Sequence, residues 1–354
     1  MAAENFVGYA AFEPYQRDKP ETHLQQHSFQ PRALDEDEVE ITVSACGICG
    51  SDIHQLTNGW KRATYPIIPG HEFIGRISAV GKAVTHLELN DRVGVSPVCR
   101  SCGSCELCKS NRSQYCSQKV TTYNGNYKGF QTFGGYTNKV RVQATWAIKI
   151  PDNISDEEGA PLLCAGITTY TPFKMLNIGP GKSIGVVGIG GLGHLALQWG
   201  RAKKCDKVVA ISSSKSKAEE VKMLGANEFI SLQEGLPSRS IVDVLFVCGS
   251  GPSTSWGDLM SLVHIGGHVV LLDIPEQPIA IPPAALVQRQ LSIVGTYVGS
   301  NDDLHDMLQL ASEANVRPWI QKIGNSLEQV NQGVLDLMAG KAHYRLVISG
   351  EGRA

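Results

Sequence analysis

The sequence predicts an α/β protein in which a doubly wound domain, built on a parallel sheet, interrupts a β-rich domain. Three observations carry that prediction. From Lys182 onward, short continuous apolar runs alternate with amphipathic stretches, the pattern of strands buried on both faces between crossover helices. Residues 1–155 instead read as short β-type segments cut by Gly and Pro. The closing YRLVIS stretch returns to that first texture, so the β-rich domain is completed from the C-terminal part. The expected boundaries are 1–157 with 302–354 for the β-rich domain and 158–301 for the doubly wound one.

The elements follow in order. EVEITVSACGICG places Val39, Ile41 and Val43 at the alternating positions of a half-buried strand, and EFIGRISAVG, DRVGVSPV and NKVRVQATWAIKIP continue in kind. Near Ser155 the texture changes. Ser155 with Glu158 three residues later is a capping box, so a helix starts there. Then SIGVVGIG is a strand feeding the helix HLALQWGRAKK, and KVVAIS is a strand feeding SKAEEVKMLGA. The strands VDVLFVCG, GHVVLL and LSIVGTYVG complete the sheet, and a polar helix runs from Asp303 to Ala314.

Composition narrows the function class. A chain of 354 residues, 42% hydrophobic and 19% charged, suits two globular domains of ordinary size. Its net charge of −2 gives no electrostatic footprint for nucleic acid or an anionic membrane. No window approaches the 18 or so apolar residues of a membrane span, and the first twenty residues hold Glu4 and Glu13 with no signal-peptide core. Ten cysteines without an export signal read as reduced thiols and a cytoplasmic location.

Three motifs carry chemistry. In VVGIGGLGH, Gly188, Gly190 and Gly193, with Gly191 and Leu192 between the last two, follow a strand and open a helix, which is the setting of a dinucleotide-binding turn. The position some 20 residues on, where an NAD site carries Asp or Glu for the ribose 2′-OH, holds Ser212, Ser213 and Ser214 with Lys215 and Lys217. Hydroxyls and ammoniums bind a 2′-phosphate where a carboxylate would repel it, so NADP(H) is the expected cofactor. Separately, ACGICGSDIH offers Cys46, Cys49, Ser51, Asp52 and His54, PGHEFIG offers His71 and Glu72, and LLCAGITTY offers Cys164. A Cys₂His set with an open position is a catalytic zinc pattern, and spacing alone leaves Cys46 and Cys49 as alternatives. Finally, PVCRSCGSCELCKSNRSQYC holds five cysteines, one more than a closed tetrahedral site needs. Cys99, Cys102, Cys105 and Cys108 form one frame; Cys102, Cys105, Cys108 and Cys116 form the other.

With these blocks in place, the chain resembles the zinc-dependent medium-chain alcohol dehydrogenases of the cinnamyl alcohol dehydrogenase type, fungal NADP-dependent enzymes among them. CGICGSDIH, GHEFIGRISAVG, the cysteine run, CAGITTY, GIGGLGH and YRLV carry the resemblance from residue 46 to residue 347. It implies a GroES-like catalytic domain, a Rossmann cofactor domain and two Zn²⁺ per subunit. It implies Cys49, His71 and Cys164 as catalytic zinc ligands, with Glu72 a ligand or exchanging ligand, Asp52 orienting His71, and Cys46 a buried small residue. The family's structural-zinc spacing selects Cys102, Cys105, Cys108 and Cys116 and leaves Cys99 spare.

The mechanism so implied is hydride transfer between nicotinamide and an alcohol or aldehyde, with Ser51 passing a proton through the cofactor ribose toward His54. Thr168 and Thr296 are expected beside the nicotinamide, and Arg345 at the pyrophosphate. Gly50 departs from the Arg or His that many relatives place there. Trp60, with Tyr123, Tyr127 and Phe130, is expected to line an apolar pocket for cinnamyl, benzyl or medium-chain aliphatic substrates. LSIVGTYVG is the expected homodimer edge. The weighed alternatives are a polyol dehydrogenase, a reductase of activated C=C bonds, and a non-catalytic binding protein of the crystallin kind.

Overall fold

The structure, a computed structural model, describes residues 5–250 and 254–350. Contacts divide the chain into two compact units: 1–164 with 300–312 and 318–354, and 165–299 with 313–317.

The first unit is built on a seven-stranded sheet whose centre is the long strand Glu38–Ile48. Phe73–Val80 pairs antiparallel along most of its length, and Arg345–Ser349 takes the last four residues on its other edge. Lys139–Gln143 takes the first five. Val39, Ile41 and Val43 are buried as the alternation requires, but from Ala45 to Ile48 both faces are buried. The helix Asp156–Pro161 packs against this strand and Phe73–Val80, and covers the second face. Its N-terminus is the expected capping box, Ser155 Oγ accepting from Glu158 N at 3.2 Å. Asp156 ties the helix down by accepting from Arg92 Nη1 at 3.1 Å.

The second unit is a six-stranded, all-parallel sheet. In space the strands run Glu228–Ser231, Lys207–Ser212, Ser183–Val187, Val242–Val247, Val263–Leu271, Ser292–Gly295. In chain order this is 3-2-1-4-5-6, the doubly wound order whose ligand crevice opens where the order reverses, beside the first strand. Val209, Ile211, Val242, Leu245 and Val269 are buried in its core, as continuous apolar runs predict. The strand Glu228–Ser231, short and followed by polar residues, carried no sequence signal of its own. No helix among the described residues is long and apolar enough to cross a membrane.

Candidate active site

Among the described residues two metal-competent clusters form, both in the first unit. The buried one joins Cys49, His71, Glu72 and Cys164, whose donor atoms all lie within 4.8 Å of one another. Strand pairing assembles it. Cys46 lies opposite Phe73, so Cys49 just past one strand meets His71 and Glu72 just before the other. Cys164 enters from a π-helical turn, Leu162–Gly166, a form of helix often found at functional sites. Gly47 makes room for the cluster, since a Cβ there would come within 2.0 Å of Glu72 Oε1. Cys46 stays outside, buried, its thiol directed at the Gly47 carbonyl.

Asp52, fully buried, organises this cluster without belonging to it. Its Oδ2 accepts from Cys49 N at 2.9 Å, and its Oδ1 pairs with His71 Nδ1 at 3.0 Å and accepts from Gly70 N at 3.2 Å. That leaves His71 Nε2 facing the cluster, 3.1 Å from Cys164 Sγ. Burial opposes charge on His71, yet Asp52 carries its pKa well above the usual value. The hydrogen bond from Cys164 pulls the Cys49 thiol well below its ordinary range against burial, and the Cys164 thiol is pushed up in return. Burial lifts Glu72 to about 7, with Arg345 opposing.

Arg345, expected at the pyrophosphate, is buried against Glu72. Its Nη2 pairs with Glu72 Oε1, and Nη1 lies 3.9 Å from Cys49 Sγ. The register explains this: Leu346 sits opposite Ile48, which brings Arg345 beside Cys49. Glu72 Oε2 and Arg345 Nε are buried without a hydrogen-bond partner, so this cluster carries unused donor and acceptor capacity. The Cys49–Cys164 sulfur separation of 3.9 Å matches the ~3.8 Å between thiolates at 2.3 Å from a tetrahedral zinc. The donor set therefore fits zinc.

The second cluster settles the geometry of the cysteine run. Cys102, Cys105, Cys108 and Cys116 converge, with sulfur separations of 3.9 Å (102–108), 3.8 Å (105–116) and 3.5 Å (102–116). Backbone N–H groups of Cys105 and Gln118 reach the Cys102 and Cys116 sulfurs at 3.3 Å. Such bonds favour thiolate: the Ser104 N–H and then the Cys105 N–H draw the Cys102 thiol down to about 6. Four sulfurs leave no open position, so this set fits a structural ion. Cys99 points elsewhere, 3.5 Å from the Val120 and Thr121 carbonyls, its thiol pushed up to about 12 by burial.

Ser51 and His54 lie three residues apart on the Gly50–Leu56 helix, so they share a face, and both are half-buried. Trp60 stacks on His54 with ring centroids 4.7 Å apart. The other aromatic residues separate. Tyr123 is buried beneath the cluster, its hydroxyl donating to the Ser51 carbonyl at 3.3 Å and its ring stacked 5.8 Å from His71. Tyr127 and Phe130 line a different cavity of about 200 Å³, where Arg32 and Arg100 flank Tyr127, because the Asn126–Gln131 turn carries them there.

In the second unit, the glycine turn opens the helix Gly193–Ala202. A Cβ on Gly193 would lie 2.2 Å from the Gly188 carbonyl oxygen, so close helix–strand packing requires glycine, whereas Gly190 faces open space. That space belongs to a cavity of about 920 Å³ lined by Gly188, Gly190, Ser212, Ser213, Ser214 and Lys217. Gly191 and Leu192 complete the turn; Leu192 caps the helix. The strand Lys207–Ser212 ends in hydroxyl, not carboxylate; the carboxylate lining this cavity, Asp258, comes from the Trp256–Ser261 helix. Lys217 sits inward, bonded to the Ile189 carbonyl, and burial lowers its pKa. Thr168 is half-buried, and Thr296 Oγ1 is buried without a hydrogen-bond partner. Cys248 and Gly249, which also line the cavity, follow the fourth strand and had no motif to announce them.

Comparison with known proteins places this arrangement. Residues 35–152 match the alcohol dehydrogenase GroES-like domain model, and residues 191–313 match the zinc-binding dehydrogenase model. A probable cinnamyl alcohol dehydrogenase 3 of Oryza sativa subsp. japonica is 38% identical, covering 92% of this chain and 90% of that protein. A probable mannitol dehydrogenase 1 of Stylosanthes humilis is 35% identical, covering 98% and 97%. Among solved structures, a cinnamyl alcohol dehydrogenase (SbCAD4) of Sorghum bicolor superposes with TM-score 0.90 at 32% identity over 98% of each chain. That of a cinnamyl alcohol dehydrogenase from Helicobacter pylori, complexed with NADP(H), gives 0.84 at 29% over 99% of each. With its GroES-like and Rossmann units and its buried Cys, His and Glu cluster, the chain belongs to the zinc-dependent medium-chain alcohol dehydrogenase family, of the cinnamyl alcohol dehydrogenase type.

Proposed function

We propose that the protein is a zinc-dependent, NADP(H)-linked alcohol dehydrogenase and aldehyde reductase, acting on a primary alcohol or aldehyde of cinnamyl, benzyl or medium-chain aliphatic type. The observation that carries this reading is the buried Cys49, His71, Glu72 and Cys164 cluster beside a helix that holds both Ser51 and His54. When bound, zinc supplies Lewis acidity at the substrate oxygen, and the nicotinamide supplies or accepts hydride at its carbon.

The chain's own residues do the rest. Cys49, His71 and Cys164 would hold the metal, and Asp52 fixes the tautomer of His71 by accepting a hydrogen bond from its Nδ1–H. The ion pair with Arg345 would hold Glu72 back from the metal and favour the substrate oxygen there. Ser51 passes a proton from the substrate oxygen toward His54 in oxidation and returns it in reduction. Ser212, Ser213, Ser214 and Lys217 receive the 2′-phosphate, with Gly188 to Gly193 at the pyrophosphate and Thr168 and Thr296 at the nicotinamide. Cys102, Cys105, Cys108 and Cys116 hold a second zinc that braces an excursion poor in secondary structure. Trp60 belongs to the substrate pocket. The chain pairs with a second copy through the exposed edge strand Ser292–Gly295, and ten cysteines without a disulfide suit a cytoplasmic setting.

A second reading, a polyol dehydrogenase, is favoured by the relatedness to a protein named probable mannitol dehydrogenase. Steady-state rates separate the two. NADPH oxidation with cinnamaldehyde, benzaldehyde and hexanal should exceed NADP⁺ reduction with mannitol or sorbitol by at least about tenfold in kcat/KM. The opposite order moves the protein to the polyol class.

A further inference from the structure

Asn124, the neighbour of Tyr123, ties down the segment that follows the Gly50–Leu56 helix. Asn124 is left-handed (φ 54°), and its side chain bonds both to the helix bearing His54 and to the segment that follows it. Its Oδ1 accepts from Thr64 N at 2.9 Å, and its Nδ2 donates to the Arg62 carbonyl at 3.0 Å and to Gln55 Oε1 at 3.2 Å. One amide thus ties the far end of the loop that follows the helix, at Arg62 and Thr64, back to Gln55 of the helix bearing His54. The loop's own bonds close it further: Gly59 N donates to the His54 carbonyl at 2.8 Å, and Asn58 Oδ1 accepts from Ala63 N at 3.1 Å. Held this way, the loop lays the Trp60 indole on His54, 18° from parallel, with the Arg62 guanidinium 4.7 Å from the same indole. Next to Asn124, Tyr123 holds the Ser51 carbonyl.

From this geometry we propose that Asn124 is a positioning residue for the proton relay, setting the His54 imidazole through the Trp60 loop. The inference rests on the reading of Ser51 and His54 as that relay. Asn124 acts through the loop that carries Trp60; it restricts the rotamers His54 samples, and a misplaced proton acceptor slows turnover more than it weakens binding.

A double-mutant cycle on the zinc-loaded enzyme tests it. Asn124→Gly removes the amide while suiting the left-handed backbone, so the chain keeps its fold. Expected are an alcohol-oxidation kcat about tenfold lower with KM within about twofold, a comparable loss in His54→Ala, and a double variant no slower than His54→Ala alone. Asn124→Asp, which retains the Oδ1 acceptor, should restore part of the rate. Losses that multiply in the double variant, or a fall confined to KM, overturn the proposal while leaving the relay intact. A His54→Ala enzyme at full rate overturns the relay reading and this inference with it.

Discussion

Glu72 and Arg345 share a buried space in which each has a second claimant: the proposed metal for the carboxylate, the Cys49 sulfur for the guanidinium. Single residues here have consequences that can be read separately. Ser212 ends its strand where an NAD enzyme places a carboxylate, so Ser212→Asp puts a negative charge against the 2′-phosphate. The Kd for NADPH should rise at least about tenfold while that for NADH changes little, as titration of cofactor fluorescence would show. Equal weakening of both would remove the 2′-phosphate assignment. Cys99 is separated from the four clustered sulfurs and engaged with two carbonyls. Cys99→Ser should therefore leave the zinc content at two per chain; a loss of metal would mean that the thiol takes part in the site.

At the scale of elements, the glycine turn separates folding from binding. Gly193→Ala forces a methyl to 2.2 Å from the Gly188 carbonyl oxygen, so the helix must move off the strand and the melting temperature should fall by several degrees. Gly190→Ala meets open space in the protein. Its melting temperature should stay near wild type while the KM for NADPH rises, because the methyl occupies the room a pyrophosphate needs. The strand Val98–Arg100 offers a pH test. Arg100 forks onto Asp37 at 2.9 and 3.0 Å, and this hydrogen bonding holds the Asp37 pKa below its usual value against partial burial. A depressed carboxylate contributes stability above its unfolded pKa of about 3.9, and that contribution is lost as pH falls through the lower folded value. Arg100→Gln should therefore flatten the acid limb of the stability curve below about pH 4, measured by denaturant unfolding.

The elements also show what a sequence can and cannot disclose. Short apolar runs made the parallel sheet legible, since strands buried on both faces need no partner pattern to be recognised. The capping box at Ser155 was legible because both of its bonds are local. His71 and Cys164 were legible because metal binding restricts residue type, whereas spacing left Cys46 and Cys49 open and only the family resemblance pointed to Cys49 and to Glu72. The surroundings of that cluster were not legible. Arg345 reaches Glu72 only through a strand register joining positions nearly three hundred residues apart. Tyr123 and Asn124 act through backbone carbonyls and amides, which leave no trace in residue type on the partner.

Over the whole molecule, each unit contributes one half of the proposed chemistry: metal and relay in the first, nucleotide cavity in the second. The central claim is that one sulfur-rich cluster does chemistry and the other only holds the fold. Zinc content and NADPH-dependent aldehyde reduction, measured on the same preparations of wild type, Cys49→Ser and Cys116→Ser, test it most directly. Wild type should hold two zincs and react at full rate, and Cys49→Ser should hold one zinc with no measurable turnover. Cys116→Ser should hold one zinc, melt at a lower temperature and keep its turnover while the chain stays folded. A wild-type chain with fewer than one zinc, or a Cys49→Ser enzyme that still turns over, would contradict it.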